Sequence, residues 1–197
     1  ALGGNRLFDA ALRYGGRVGD TINYRLYAKG RHIPDSPGAA DDDAYRLQGG
    51  FRLDYSPSAA DLVTVQGDIQ RGAHSQGLSP SEVFRGGNLV GRWNRTWDTA
   101  SALQVQLYYD HAGRETRNGG GRFQLDTFDF DIQHSFRIGS SHNIVWGGGA
   151  RATRYNIDAA PGLSFAPDKR TLFLANLFVQ DSIALTPSLT AIGGLKL

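Results

Sequence analysis

Cysteine is absent from the whole chain, so there is no disulfide framework and no thiolate metal site. No run approaches the ~20 consecutive apolar residues of a transmembrane helix. That absence leaves a membrane β-barrel open, because barrel strands are only half apolar. With 40% hydrophobic and 20% charged residues, the composition is not that of a disordered chain. A net charge of +2, without a basic helix or a lysine cluster, argues against nucleic acid as a partner. The first residues, Ala1-Leu2-Gly3-Gly4-Asn5-Arg6, lack the apolar core of a signal peptide. The expectation is therefore either a processed chain or an internal piece of a longer one. Proline is scarce (7 residues), glycine abundant (26) and aromatics reach 11%, a mixture that suits β-structure with turns.

What the chain does have is alternation. Phe128-Asp129-Phe130-Asp131-Ile132-Gln133 is the sharpest stretch, and Ile22-Asn23-Tyr24-Arg25-Leu26-Tyr27-Ala28-Lys29 repeats it. Successive side chains on a strand point to opposite faces, so each such segment has one apolar and one charged face. The pattern predicts about ten strands: Leu7–Val18, Thr21–Arg31, Ala44–Tyr55, Leu62–Gln70, Asn88–Trp97, Ala102–His111, Phe123–Ile138, Asn143–Tyr155, Arg170–Ala184 and Leu189–Leu197. Short turns fall near residues 19, 58, 99, 140 and 187. Between them lie longer connections such as 32–43 and 71–85, rich in Gly, Pro, Ser, Asn and Asp.

Strands of about ten residues, apolar on one side, with short connections at one end and long ones at the other, are the pattern of an outer-membrane barrel. The fold expected is all-β: an antiparallel up-and-down meander of about ten long strands, part of a transmembrane β-barrel. Trp93, Trp97, Tyr109, Phe136, Trp146 and Tyr155 fall largely on the apolar parity, where interfacial girdles would lie. A soluble β-sandwich is the competing fold, with these rings as ordinary core. A propeller also repeats at ~40 residues, but it needs four short strands per repeat and a recurring Trp-Asp signature, whereas Trp97-Asp98 occurs once.

Five local patterns, in order, resemble the barrel of a TonB-dependent outer-membrane receptor. They are Arg13-Tyr14-Gly15-Gly16 with Tyr24-Arg25-Leu26-Tyr27-Ala28-Lys29, then Gly49-Gly50-Phe51-Arg52-Leu53-Asp54-Tyr55, Val65-Gln66-Gly67-Asp68, Val145-Trp146-Gly147-Gly148-Gly149-Ala150-Arg151 and Phe178-Val179-Gln180-Asp181-Ser182. The resemblance covers nearly the whole chain. The family barrel has about 22 strands around a plugged lumen, so residues 1–197 are expected to be a partial barrel domain, a fragment with unpaired edges. The resemblance implies a bacterial outer-membrane transport protein importing a scarce nutrient, such as a ferric siderophore or similar chelate, with TonB-derived energy. It implies as partners outer-membrane lipid, a plug domain of the same full-length chain, TonB through that plug, and a small-molecule ligand. The alternative is a small closed outer-membrane barrel used for adhesion or structure.

On this reading the charged parity lines the lumen. The candidate lumen-lining residues are Arg13, Arg25, Arg46, Arg52, Asp54, Asp68, Arg92, Asp129, Asp131 and Arg151. They serve either to receive an anionic ligand or as a cross-strand ion-pair ladder that solvates the wall. No cofactor, metal-ligand or catalytic set is expected. Asp41-Asp42-Asp43 lacks the ligand spacing of a calcium loop. Gly119-Gly120-Gly121 and Gly147-Gly148-Gly149 precede no helix and no Lys-Ser/Thr pair, so neither cradles phosphate. Gly148, beside Trp146, is expected to leave room for a neighbouring ring. His134 points to the apolar side and its neighbour Ser135 to the polar side, so the two cannot form a nucleophile–base pair.

Overall fold

Antiparallel strands joined by tight turns pair with their neighbours in sequence, and that rule accounts for the whole chain. In the computed structural model, which describes residues 8–35, 42–76, 79–98, 100–162 and 164–197, ten strands follow one another. They are β1 (Phe8–Val18), β2 (Ile22–Ile33), β3 (Ala44–Tyr55), β4 (Asp61–Gln76), β5 (Ser79–Asp98), β6 (Ser101–Thr116), β7 (Arg122–Ile138), β8 (His142–Asp158), β9 (Lys169–Thr186) and β10 (Leu189–Lys196). They form one sheet in sequence order, each strand antiparallel to the next. Among the described residues there is no helix, no second sheet and no β1–β10 pairing. The sandwich is thereby overturned, and the two outer edges stay open, which a closed ten-stranded barrel would not allow.

Strand bounds match the alternation to within three residues except at the end of β4, the start of β5 and the end of β6. The segment 71–85, read as a long loop, is mostly strand: β4 and β5 pair from Asp61↔Arg95 up to Gln76↔Ser79, and only positions 77 and 78 fall between them. Likewise β6 continues to Thr116, not His111. The 20 residues of β5, at about 3.3 Å each, run roughly 66 Å, against a bilayer core of about 30 Å. Expected strand length came from bilayer thickness, whereas backbone pairing continues as long as a partner strand is there. Leu7, at the expected start of the first strand, and Thr99, in the expected 98–101 turn, lie outside the described residues.

The short connections share one end of the sheet. Gly19 and Gly139 turn there with φ of 57° and 61°, the left-handed region that glycine enters without Cβ strain. Each turn is tied to the next hairpin by a backbone bond: Ser56 N–H donates to Thr21 O (2.8 Å), Thr96 to Ala60 (2.9 Å), Arg137 to Ala100 (3.0 Å) and Ala184 to Ser141 (2.8 Å).

The register sorts side chains into two faces. Tyr24, Leu53, Val65, Gly91, Leu107, Phe130 and Ala150 follow one another across β2–β8 on the apolar face, each directly opposite or one pleat from the next. No hydrophobic residue among those described is buried, and Leu12, Ile69, Leu107 and Phe173 are 60–81% exposed. A single sheet has no core of its own; its apolar face needs cover from outside this chain. Tyr155 is a correction: it pairs with Leu125 and Arg170 on the polar face, and its hydroxyl donates to Pro167 O (3.3 Å). Leu107→Arg, midway along β6 on the apolar face, is expected to cost about 2–4 kcal/mol of folding free energy in lipid vesicles, with Gln106→Arg on the other face costing under about 1 kcal/mol. Denaturant titration of the full-length protein refolded into vesicles checks the difference.

Candidate functional site

The polar face is a continuous charged wall, and the register places every candidate lumen residue on it. One row runs Arg25, Arg52, Gln66, Val90, Tyr108, Asp129, Arg151 across β2–β8. Arg13 stands opposite Tyr27, Asp68 opposite Gly50 and Asn88, and Arg46 opposite Arg31. Asp54, Arg92 and Asp131 share the row nearer the short turns.

These residues are engaged in different ways. Arg52 donates twice to Asp54 (2.8 and 2.9 Å) and once to Gln66 (3.2 Å), while the Thr64 hydroxyl donates to the same carboxylate (2.6 Å). Arg92 donates twice to Gln106 Oε1 (2.9 and 2.6 Å). Across β7 and β8, Arg151 Nε donates to Asp129 (2.7 Å), and Arg31 meets Asp9 across β1 and β2 (2.6 Å). Cross-strand ion pairs on this face thus join Arg31 with Asp9, Arg151 with Asp129 and Arg114 with Glu82. Elsewhere like charges face each other, Arg25 with Arg52 and Arg31 with Arg46, an arrangement that destabilises an isolated sheet.

Toward the end of the longer connections the polar face forms a concavity of about 490 Å³. Arg46, Asp68, Gln70, Asn88, Asp110 and Arg114 supply its polar groups, and Phe84 and Phe123 its rings. Arg46 donates to Gln70, and the Tyr27 hydroxyl donates to Asp68 while accepting from Gln48 (3.0 Å). Arg114 pairs with Glu82 (3.3 Å), which also meets His74 (3.5 Å). Of the candidates, only Arg46 and Asp68 come together here; the Arg52–Asp54 cluster, Arg92 and the Asp129–Arg151 pair line the wall nearer the short turns. Gln70, Phe84, Arg114 and Phe123 were missed as wall residues. The signal that could have found them is polar-parity alternation carried on through 70–76 and 112–116. The arrangement can bind a hydrated ligand carrying charge of either sign, with aromatic surface beside it.

Aromatic rings and long side chains fold over glycines on this face. A Cβ on Gly50 would collide with Asp68 and lie 2.7 Å from the Tyr27 ring, and one on Gly147 would lie 2.8 Å from the Phe178 ring. The ring expected beside Gly148 is thus at Gly147; Gly148 itself faces Leu177 on the apolar side.

No family model matches the chain, and no curated protein matches it by sequence. Solved structures do. The siderophore receptor PirA from Pseudomonas aeruginosa superposes with a TM-score of 0.72 at 15% identity, over 97% of this chain and 33% of that one. The copper transporter OprC gives 0.68 at 13% identity, over 98% and 36%. The ferric-catecholate import receptor Fiu from E. coli K12 gives 0.71 at 9% identity, over 96% and 42%. The fold is that of a TonB-dependent receptor barrel. This chain spans 33% to 42% of the length of those three receptors.

Within that receptor fold, no group of three His, Cys, Asp or Glu among the described residues is placed to hold a metal ion. Asp42 N–H donates to Asp35 (2.9 Å), and Asp41 lies outside the described residues. His134 sits on the apolar face, as its parity requires. It meets Ser101 of β6 (Oγ to Nε2, 3.1 Å), and the rings of Trp97, Phe136 and Trp146 surround it. Among the described residues no carboxylate bonds to that imidazole, so the base-orienting third group of a nucleophilic site is missing. Gly50→Val is expected to destabilise the protein by about 1–3 kcal/mol. In a double-mutant cycle with Tyr27→Phe the two changes should be non-additive by at least about 0.5 kcal/mol; unfolding free energies of the four variants check it.

Proposed function

We propose that this chain is part of the wall of a bacterial outer-membrane receptor that imports a scarce nutrient with TonB-derived energy, an iron chelate being the foremost substrate class. The observation that carries the reading is the single sheet with one face apolar and uncovered, and the opposite face charged, in a fold shared with siderophore and copper receptors. Lipid hydrocarbon covers the first face, and the second lines a hydrated lumen holding the plug domain of the full-length chain. Arg13, Arg25, Arg46, Arg52, Asp54, Asp68, Arg92, Asp129, Asp131 and Arg151 act there as lumen-lining groups that keep the passage wet. Those around the concavity, Arg46 and Asp68 with Arg114 beside them, are nearest the incoming ligand. TonB acts through the plug, and the wall itself performs no catalysis.

The test is uptake by the full-length protein in a Gram-negative host stripped of its own chelate receptors. Radiolabelled iron, offered as catecholate and hydroxamate chelates, should accumulate when TonB is present and not when TonB is deleted. Surface-exposed, correctly inserted protein that accumulates no chelate under either condition would contradict the proposal.

A further inference from the structure

The apolar face carries two arginines that pair with no side chain among the described residues. Arg71 of β4 and Arg85 of β5 stand directly opposite each other, both exposed and both on the parity of Ile69, Leu89 and Trp93. Like charges in directly opposed positions destabilise a sheet unless an anion lies between them. Among the described residues neither has a hydrogen bond or ion pair. The nearest acids of that face are already engaged: Glu115 with Arg122 (3.1 Å), and Asp126 with His111 (2.8 Å) and the Tyr109 hydroxyl (2.8 Å).

Their height and surroundings define what is missing. Arg71 lies ten residues beyond Asp61 on β4, about 33 Å along the strand and roughly 25 Å of rise at barrel tilt, the height of the apolar band of such walls. The pair therefore stands where hydrocarbon meets headgroups at the end of the longer connections. Directly beside it, a groove of about 300 Å³ runs between β2, β3 and β4, lined by Ala28, Leu47, Gly49 and Ile69 and ending at Arg71. Gly49 keeps it open, since a Cβ there would meet nothing nearer than Tyr27 O at 3.6 Å. On the other side Arg85 lies along Gly113, with its Cγ 3.2 Å from where a Cβ would stand.

We propose that Arg71 and Arg85 clamp the phosphate of a phosphorylated outer-leaflet glycolipid, one of whose acyl chains lies in the Ala28–Leu47–Gly49–Ile69 groove. Arginine forks suit phosphate oxygens, and their aliphatic stems lie along apolar surface while the heads reach the polar layer. This inference rests on the receptor-wall reading above, but it concerns the opposite face from the transported ligand.

The experiment is native mass spectrometry of the full-length protein in detergent, with bisphosphorylated lipid A, its dephosphorylated form, or inorganic phosphate as probes. The wild type should retain bisphosphorylated lipid A, and retention should fall at least about tenfold both for the dephosphorylated lipid and in Arg71→Gln/Arg85→Gln. Heat-modifiable migration on gels reports that each variant forms the barrel. A barrel that holds both lipids equally, or ignores the double substitution, or releases the lipid to excess inorganic phosphate, overturns the clamp alone. Wild-type protein with no heat-modifiable form overturns the receptor-wall reading and the clamp with it.

Discussion

Everything in this structure depends on one layer of backbone pairing. The ten strands bond only to their neighbours in sequence, and nothing of the described chain packs on either face. In a soluble domain the hydrophobic effect acts between layers, and strand pairing follows from it. Here the order is reversed: the ladder fixes which side chains share a face, and the surroundings must supply the rest. In the proposed receptor wall, apolar hydrocarbon satisfies one face and an aqueous, charged interior the other. Unpaired backbone at β1 and β10 has no such remedy in lipid, where only further strands can satisfy it. The chain matches 33% to 42% of the length of the receptors that share its fold.

The two faces obey different rules. On the apolar face the demand is continuity, and exceptions such as Asp126, His111, Arg71 and Arg85 lie toward the longer connections. On the polar face the demand is hydration without collapse. Arg25 opposite Arg52 and Arg31 opposite Arg46 would be poor choices in a compact core. In the proposed wall, water in the lumen would screen them, and partners such as Asp54 and Asp9 offset part of the repulsion. Glycines under Tyr27, Phe84 and Phe178 let rings lie flat against the wall, stiffening single-layer strands that have no second layer to hold them.

Parity was the legible part of the fold. Because side chains alternate with period two, a strand whose register is right by a single pair is right along its length. Asp129 and Phe130 suffice to place all of β7, and Arg46 and Asp68 lie on the polar face that their parity predicts. The reach of β4 and β5 toward their shared connection was not legible: Gly72, His74, Gly86 and Gly87 look like loop composition, yet paired backbone runs through them, and Phe84 lies over Gly72. For that reason the concavity was missed although two of its residues were named. Contacts across strands, such as Ser101 with His134, depend on register between segments far apart in sequence, which local alternation does not carry. The concavity, too, is built by groups gathered from several strands, so no single stretch of sequence spells it out.

The central claim is that adjacent residues of these strands face hydrocarbon and water in turn. Spin labels placed one at a time along β6 and β7 of the full-length protein in bilayers test it directly, read as collision rates with oxygen, which partitions into lipid, and with a water-soluble nickel chelate. The account predicts a period of two: oxygen dominates at Leu107, Phe128, Phe130 and Ile132, and the nickel chelate or protein contact at Gln106, Asp129 and Asp131. Equal access of the water-soluble relaxer to both parities would contradict it.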